Sequence, residues 1–163
     1  MAIRFSAAEM LQVAEQIEHN GVTFYQVAAE QVDNNDAHAL LLRLSNWEEN
    51  HAALFAAMRA SCLSAVEQAE TAYDPYDEML LYLRAFADGV VYTDDPRKLF
   101  GTAKTIREIL KIALERERDS IIFYTGMRQY VPQALGLDKL DHVIKEEFSH
   151  VVLLEKELAK HGI

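Results

Sequence analysis

The sequence predicts an all-α protein: an antiparallel four-helix bundle of two duplicated hairpins, joined by a long central crossover that contains an extra short helix. Three observations carry this. Apolar residues recur at spacings of three and four through most of the 163 residues, the period of a helix buried on one face. Turn residues break that period at places that pair the helices into hairpins. A set of residues then repeats 99 positions apart: Glu18 and Glu117, Glu48 and Glu147, His51 and His150, Phe24-Tyr25 and Phe123-Tyr124, Leu11 and Leu110, Leu41 and Leu140.

The elements follow in order. Ser6-Ala-Ala-Glu9 reads as a capping box, its hydroxyl and carboxylate satisfying free amides at a helix start. From it, Leu11, Ala14, Glu18, Val22, Tyr25 and Ala29 form one inward stripe. Asp33-Asn-Asn-Asp36 is a short link to a second stripe of Leu41, Leu44, Glu48, His51, Phe55, Met58 and Cys62. This first hairpin spans 6–62. The crossover, 63–104, carries Pro75, Gly89, Pro96 and Gly101, with a short helix expected from Tyr76 to Val90 whose apolar side is Met79, Leu80, Leu83 and Phe86. A helix of about 26 residues is about 40 Å long, so passing from the end of one hairpin to the start of the next needs such a link. The second hairpin spans 105–160. Its first helix opens on a second capping box, Thr105-Ile-Arg-Glu108, and continues Leu110, Ala113, Glu117, Ile121 and Tyr124. Pro132-Gln-Ala-Leu-Gly136 turns the chain, and Asp138 opens the last helix, with Leu140, Val143, Glu147, His150 and Leu154 on its stripe. The whole reads as a single domain, 1–163.

Composition narrows the function. A formal net charge of −10 argues against nucleic-acid binding, which relies on clustered Lys and Arg. No apolar run approaches the roughly 18–20 residues of a membrane span, and Met-Ala-Ile-Arg-Phe-Ser lacks the apolar stretch of a signal peptide. Cys62 is the single cysteine, so there is no disulfide framework and no cysteine metal knuckle. These features suit a reducing cytoplasm.

The chemistry lies in where the acids fall. Glu18, Glu48, His51, Glu117, Glu147 and His150 each occupy a stripe position where a Leu would be expected. Four carboxylates facing a core would each lose several kcal/mol of solvation, and no Lys or Arg shares their stripes. Two divalent cations would balance the four negative charges, with neutral imidazoles completing the shell. Glu and His at i and i+3 share a helix face, so each motif offers one oxygen and one nitrogen. A Glu from each of two helices plus Glu-x-x-His from the other two is the donor set of di-iron and di-manganese carboxylate bundles. Glu146 also lies within a turn of His150, but the residue 99 positions before it is Trp47, which makes Glu147 the better ligand. Glu15 has Leu114 as its counterpart, and Glu49 lies off the ligand face. His19, His38, His142 and His161 have no matched partners and read as surface or loop residues. Tyr25 and Tyr124 follow their Glu by two turns, suited to core packing with a bonded hydroxyl or to supporting a Glu ligand from behind.

Taken together, Glu18-x6-Tyr25, Trp47-Glu48-Glu-Asn-His51, Glu117-x6-Tyr124 and Glu146-Glu147-Phe-Ser-His150 resemble the rubrerythrin branch of the ferritin-like superfamily. The resemblance covers both hairpins and implies a non-haem di-iron centre that reacts with hydrogen peroxide or dioxygen as Fe(II) is oxidised. It implies the six residues as ligands of two iron ions, Glu48 and Glu147 bridging or flanking the pair, with manganese or zinc as alternative metals. Two departures stand out. Rubrerythrins append a four-cysteine rubredoxin domain, so this chain would draw electrons from a separate donor protein. They also carry another Glu one turn after the third-helix ligand, where this chain has Ser120. The remaining set is equally that of bacterioferritin-type ferroxidase sites. Three readings therefore stand: a di-iron peroxidase or oxidase of oxidative-stress defence, a ferroxidase or iron-storage subunit, and a non-redox zinc or manganese bundle. The family usually forms homodimers, and the long link would allow hairpins to be exchanged between chains.

Overall fold

The computed structural model describes residues 6–64, 78, 81–83, 85–86, 96–100 and 104–162. Four long helices dominate: α1 (Ala7–Glu30), α2 (Asn35–Ser64), α4 (Ile106–Met127) and α5 (Leu137–Lys160), with a short α3 (Pro96–Leu99) before the second hairpin. No strand occurs among the described residues.

Local chemistry starts each hairpin. Ser6 accepts from the amide of Glu9 at 3.2 Å while the Glu9 carboxylate accepts from the Ser6 amide at 2.8 Å. Thr105 and Glu108 repeat this at 3.3 and 2.7 Å. Such caps are each worth about 1 kcal/mol. Asn34 accepts from the Ala37 amide at 2.9 Å and so caps α2. Between α4 and α5 the chain makes a 3₁₀ turn, Gln133–Leu135, and leaves it through Gly136 at φ 99°, a left-handed conformation that favours glycine. The helix then starts at Leu137, so Asp138 sits in its first turn without capping it; its charge there complements the helix dipole.

Contacts fix the directions. Ser45 reaches the Val22 carbonyl and Arg59 reaches Glu15, so α2 runs back along α1. Arg128 binds Asp141 and Arg118 binds Glu155, so α5 runs back along α4. Across the hairpins, Tyr25 meets Glu117 and Tyr124 meets Glu18, which makes α1 antiparallel to α4.

Two apolar clusters fill the bundle. One holds Phe24, Tyr25, Leu41, Leu44, Ile109, Leu110 and Ala113; the other holds Met10, Leu11, Ala14, Phe123, Tyr124, Leu140 and Val143. The 99-residue offset carries each cluster onto the other, so the bundle has an approximate two-fold axis between them. Each fully buried side chain of this size contributes about 1.5–3 kcal/mol. Of the helix expected over Tyr76 to Val90, Glu78, 81–83 and 85–86 are described, and all are helical. Leu83 is buried in the second cluster, and Phe86 stacks on Phe123 with ring centroids 5.4 Å apart. Met79 and Leu80, with Pro75, Gly89 and Gly101, lie outside the described residues.

Candidate metal centre

Between the two apolar clusters the helices bury a polar layer. Glu18 comes from α1, Glu48 and His51 from α2, Glu117 from α4, and Glu147 and His150 from α5. All six are at most 5% exposed. His51 Nδ1 lies 2.9 Å from Glu147 Oε1 and 3.6 Å from Glu18 Oε2. His150 Nδ1 lies 3.0 Å from Glu147 Oε2, 3.3 Å from Glu48 Oε1 and 3.4 Å from Glu117 Oε2. The two imidazoles face each other, centroids 5.6 Å apart and 21° from parallel.

Donor atoms converge in two overlapping groups: Glu18, Glu48, His51 and Glu147, and Glu48, Glu117, Glu147 and His150. Within each group one ligand atom per residue lies within 4.8 Å of the others. Glu48 and Glu147 belong to both. The buried side-chain polar atoms without a well-oriented hydrogen bond among the described residues all belong to this layer: Glu18 Oε2 and Glu48 Oε1, with His51 Nδ1 and Glu147 Oε1, which face each other at 2.9 Å. Buried polar atoms are rarely left unpaired, and orphans that all converge on one point need a further partner. A divalent cation is the partner this donor set fits, because it takes oxygen and imidazole nitrogen together and offsets their charge.

Burial and crowding set the electrostatics of the layer. Burial, then the charges of Glu18, Glu147 and Glu117, push the Glu48 carboxyl well above its ordinary range. Glu147 is pushed up to about 8 by burial and by the charges of Glu117 and Glu18. Burial alone would lower the histidines, but their carboxylate neighbours prevail: Glu147 and Glu18 raise His51 to about 11, and Glu117 and Glu147 raise His150 to about 9. Burial also acts against Glu117, yet hydrogen bonds with His150 and Glu147 bring it below its ordinary value.

The tyrosines work across the repeat. Tyr25 Oη donates to Glu117 Oε1, and Tyr124 Oη donates to Glu18 Oε1. Each hydroxyl thus holds the carboxylate of the other hairpin. Burial, followed by the charge of its Glu partner, pushes each phenol well above its ordinary value, so both remain donors.

A cavity of about 30 Å³ reaches the layer between α1 and α4, touching Glu48, Glu117 and Tyr25. Asn20, Gly21, Arg116, Asp119 and Ser120 also line it. Gly21 matters here because a Cβ on it would stand 2.9 Å from Glu48 Oε2 and 3.2 Å from Glu48 Cγ. Ser120, 99 positions on from Gly21, faces it across the cavity and gives its hydroxyl to the Arg116 carbonyl at 3.1 Å.

The remaining acids and histidines lie elsewhere. Glu15 pairs with Arg59 at 2.9 Å, and Glu49 is exposed. His19, His38 and His142 are exposed, and His161 bonds Glu157. Glu157 itself is buried and paired with Lys160, a pairing that the stripe pattern did not reveal. Glu146 stays out of the ligand layer but accepts a hydrogen bond from His51 Nε2 at 2.9 Å. That contact joins α2 to α5, which spacing along a single helix cannot show.

No known family profile and no curated protein matches this sequence. A crystal structure does match: a Thermotoga maritima protein described as ferritin-like and diiron-carboxylate, with a TM-score of 0.68 and 20% identity, covering 99% of this chain and 100% of that one. The fold is ferritin-like. That likeness rests on the backbone path alone, and the buried Glu and His layer is what marks the ferritin-like bundle here as a metal-binding one.

Proposed function

We propose that the protein is a non-haem di-iron oxidoreductase of rubrerythrin type, reducing hydrogen peroxide or dioxygen as Fe(II) is oxidised. The observation that carries the reading is the pair of four-residue donor groups sharing Glu48 and Glu147. In it, Glu18 and His51 would hold one iron and Glu117 and His150 the other, with Glu48 and Glu147 available to both. When bound, such a pair would supply one electron per iron, which matches a two-electron oxidant.

The chain's own groups serve that chemistry. Tyr25 and Tyr124 fix the two outer carboxylates so that their free oxygens face inward. The cavity beside Glu48 is about the size of one or two waters, and so admits peroxide or dioxygen but little larger. Glu48 lines that cavity, so an incoming oxidant would meet the donor layer at the carboxylate common to both groups. The apolar clusters above and below keep bulk water out.

A ferroxidase subunit is the second reading, favoured by Ser120, which lines the cavity where rubrerythrins carry another Glu. The proposal includes a separate electron-donor protein and a cytoplasmic homodimer. No helix among the described residues is long and apolar enough to cross a membrane. Rapid mixing of Fe(II)-loaded protein with peroxide or dioxygen, beside a measurement of particle mass, tests the reading. Fast oxidation by peroxide in a dimer-sized particle is expected. A closed shell that takes up many irons per chain would overturn it in favour of storage.

A further inference from the structure

The two halves of the metal layer match in all six donors and in both tyrosines, and they differ at a pair of described positions that touch the histidines. His51 donates from Nε2 to Glu146 Oε2 at 2.9 Å. The residue related to Glu146 by the 99-residue offset is Trp47, and it lies flat on His150, centroids 5.1 Å apart and 13° from parallel. The Arg43 guanidinium covers the same indole, 5.3 Å from its centroid. His150 meets its carboxylates through Nδ1, and none is paired with its Nε2 among the described residues.

These two supports act differently on an imidazole. A carboxylate on Nε2–H fixes the ring's orientation with Nδ1 aimed at the point where Glu18 and Glu147 converge, and makes that nitrogen a stronger ligand for a cation there. It also places an additional negative charge behind the first donor group. Stacking fixes the plane of a ring but does not select which nitrogen carries the proton, and it adds no charge. Glu146 keeps one edge in solvent, its side chain being 41% exposed, so its removal leaves no cavity in the core.

We infer that the metal pair is built unequal: Glu146 is a positioning residue that makes the Glu18–His51 half the tight site, and Trp47 leaves the Glu117–His150 half the weak, exchangeable one. This rests on the metal-centre reading of the same layer. The unequal pair gives the protein one retained cation and one that can leave.

Titration of the metal-stripped protein with Co(II), followed by calorimetry and by the visible absorption of bound Co(II), tests it. Two resolved constants are expected in the wild type. Glu146→Ala should weaken the tighter one by about 10- to 100-fold and leave the other within about two-fold. Glu146→Gln, whose amide oxygen can still accept from Nε2, should recover most of the loss. Trp47→Glu, which restores the symmetry, should tighten the weaker constant; if it does not fold, the Glu146 pair decides alone. Two equal constants, or equal loss from both in Glu146→Ala, or no loss from either, would overturn the inference while leaving two bound Co(II) per chain. Absence of Co(II) binding would instead remove the metal-centre reading itself.

Discussion

Gly21→Ala separates the stability of the bundle from the geometry of its polar layer. Alanine in place of glycine inside a helix adds about 1 kcal/mol. The new Cβ, however, would sit 2.9 Å from Glu48 Oε2, 3.2 Å from Cγ and 3.4 Å from Cδ. Ordinary contact requires the carboxylate to withdraw by about half an ångström, and a side chain forced off its rotamer costs about 0.5–1.5 kcal/mol. The two effects nearly cancel, so the melting temperature of the metal-stripped variant should stay within about 2–4 °C of wild type. Metal binding has no such compensation, because Glu48 belongs to both donor groups. Its affinity should fall by about 10- to 100-fold, the loss typical when support for a ligand is disturbed. Ser120→Ala, at the matching position across the cavity, should change neither quantity. Calorimetric metal titration beside thermal melting reads both. A Gly21→Ala protein that melts higher and binds metal as tightly as wild type would refute the placement of Glu48 argued above.

Other predictions follow from the same layer. Tyr25→Phe and Tyr124→Phe each strand a buried carboxylate oxygen, at a cost of about 1–3 kcal/mol, and the approximate two-fold axis predicts similar melting-temperature losses; a loss confined to one would contradict that symmetry. Glu147→Ala should abolish paired binding, whereas Glu18→Ala should spare the cation held by Glu117 and His150, as metal content after dialysis would show. In the metal-stripped protein Glu147 and His150 are raised to about 8 and about 9, above their ordinary values of 4.5 and 6.5. The folded state therefore holds these protons more tightly than the unfolded chain, and stability falls as pH rises through both values. Melting temperature should drop as pH rises from about 5 to about 9 without metal, the span between the ordinary and the raised values of these two groups, and hold steady with it; a rise without metal would contradict the protonation pattern.

Much of this was legible in the sequence because the decisive signals are local or repeated. The capping boxes at Ser6 and Thr105 depend on residues three apart, and both form. Glu18, Glu48, His51 and their copies stand out because each takes a stripe position that packing alone would give to Leu. What spacing cannot show is which helix a side chain reaches. Tyr25 shares a face with Glu18 but binds Glu117, and only the crossing of α1 and α4 reveals it. Trp47 breaks the repeat opposite Glu146, which marks Glu146 as no ligand, yet that break is where the two histidines acquire different neighbours. Gly21 carries no sequence signal either. Its role depends on how closely α2 approaches α1.

An anaerobic Fe(II) titration of the metal-stripped protein tests the central claim most directly, reading tightly bound iron per chain. The account predicts saturation near two, as two donor groups sharing Glu48 and Glu147 require. Saturation near zero would contradict it, leaving the buried carboxylates to protons or to another metal and removing the basis for redox chemistry.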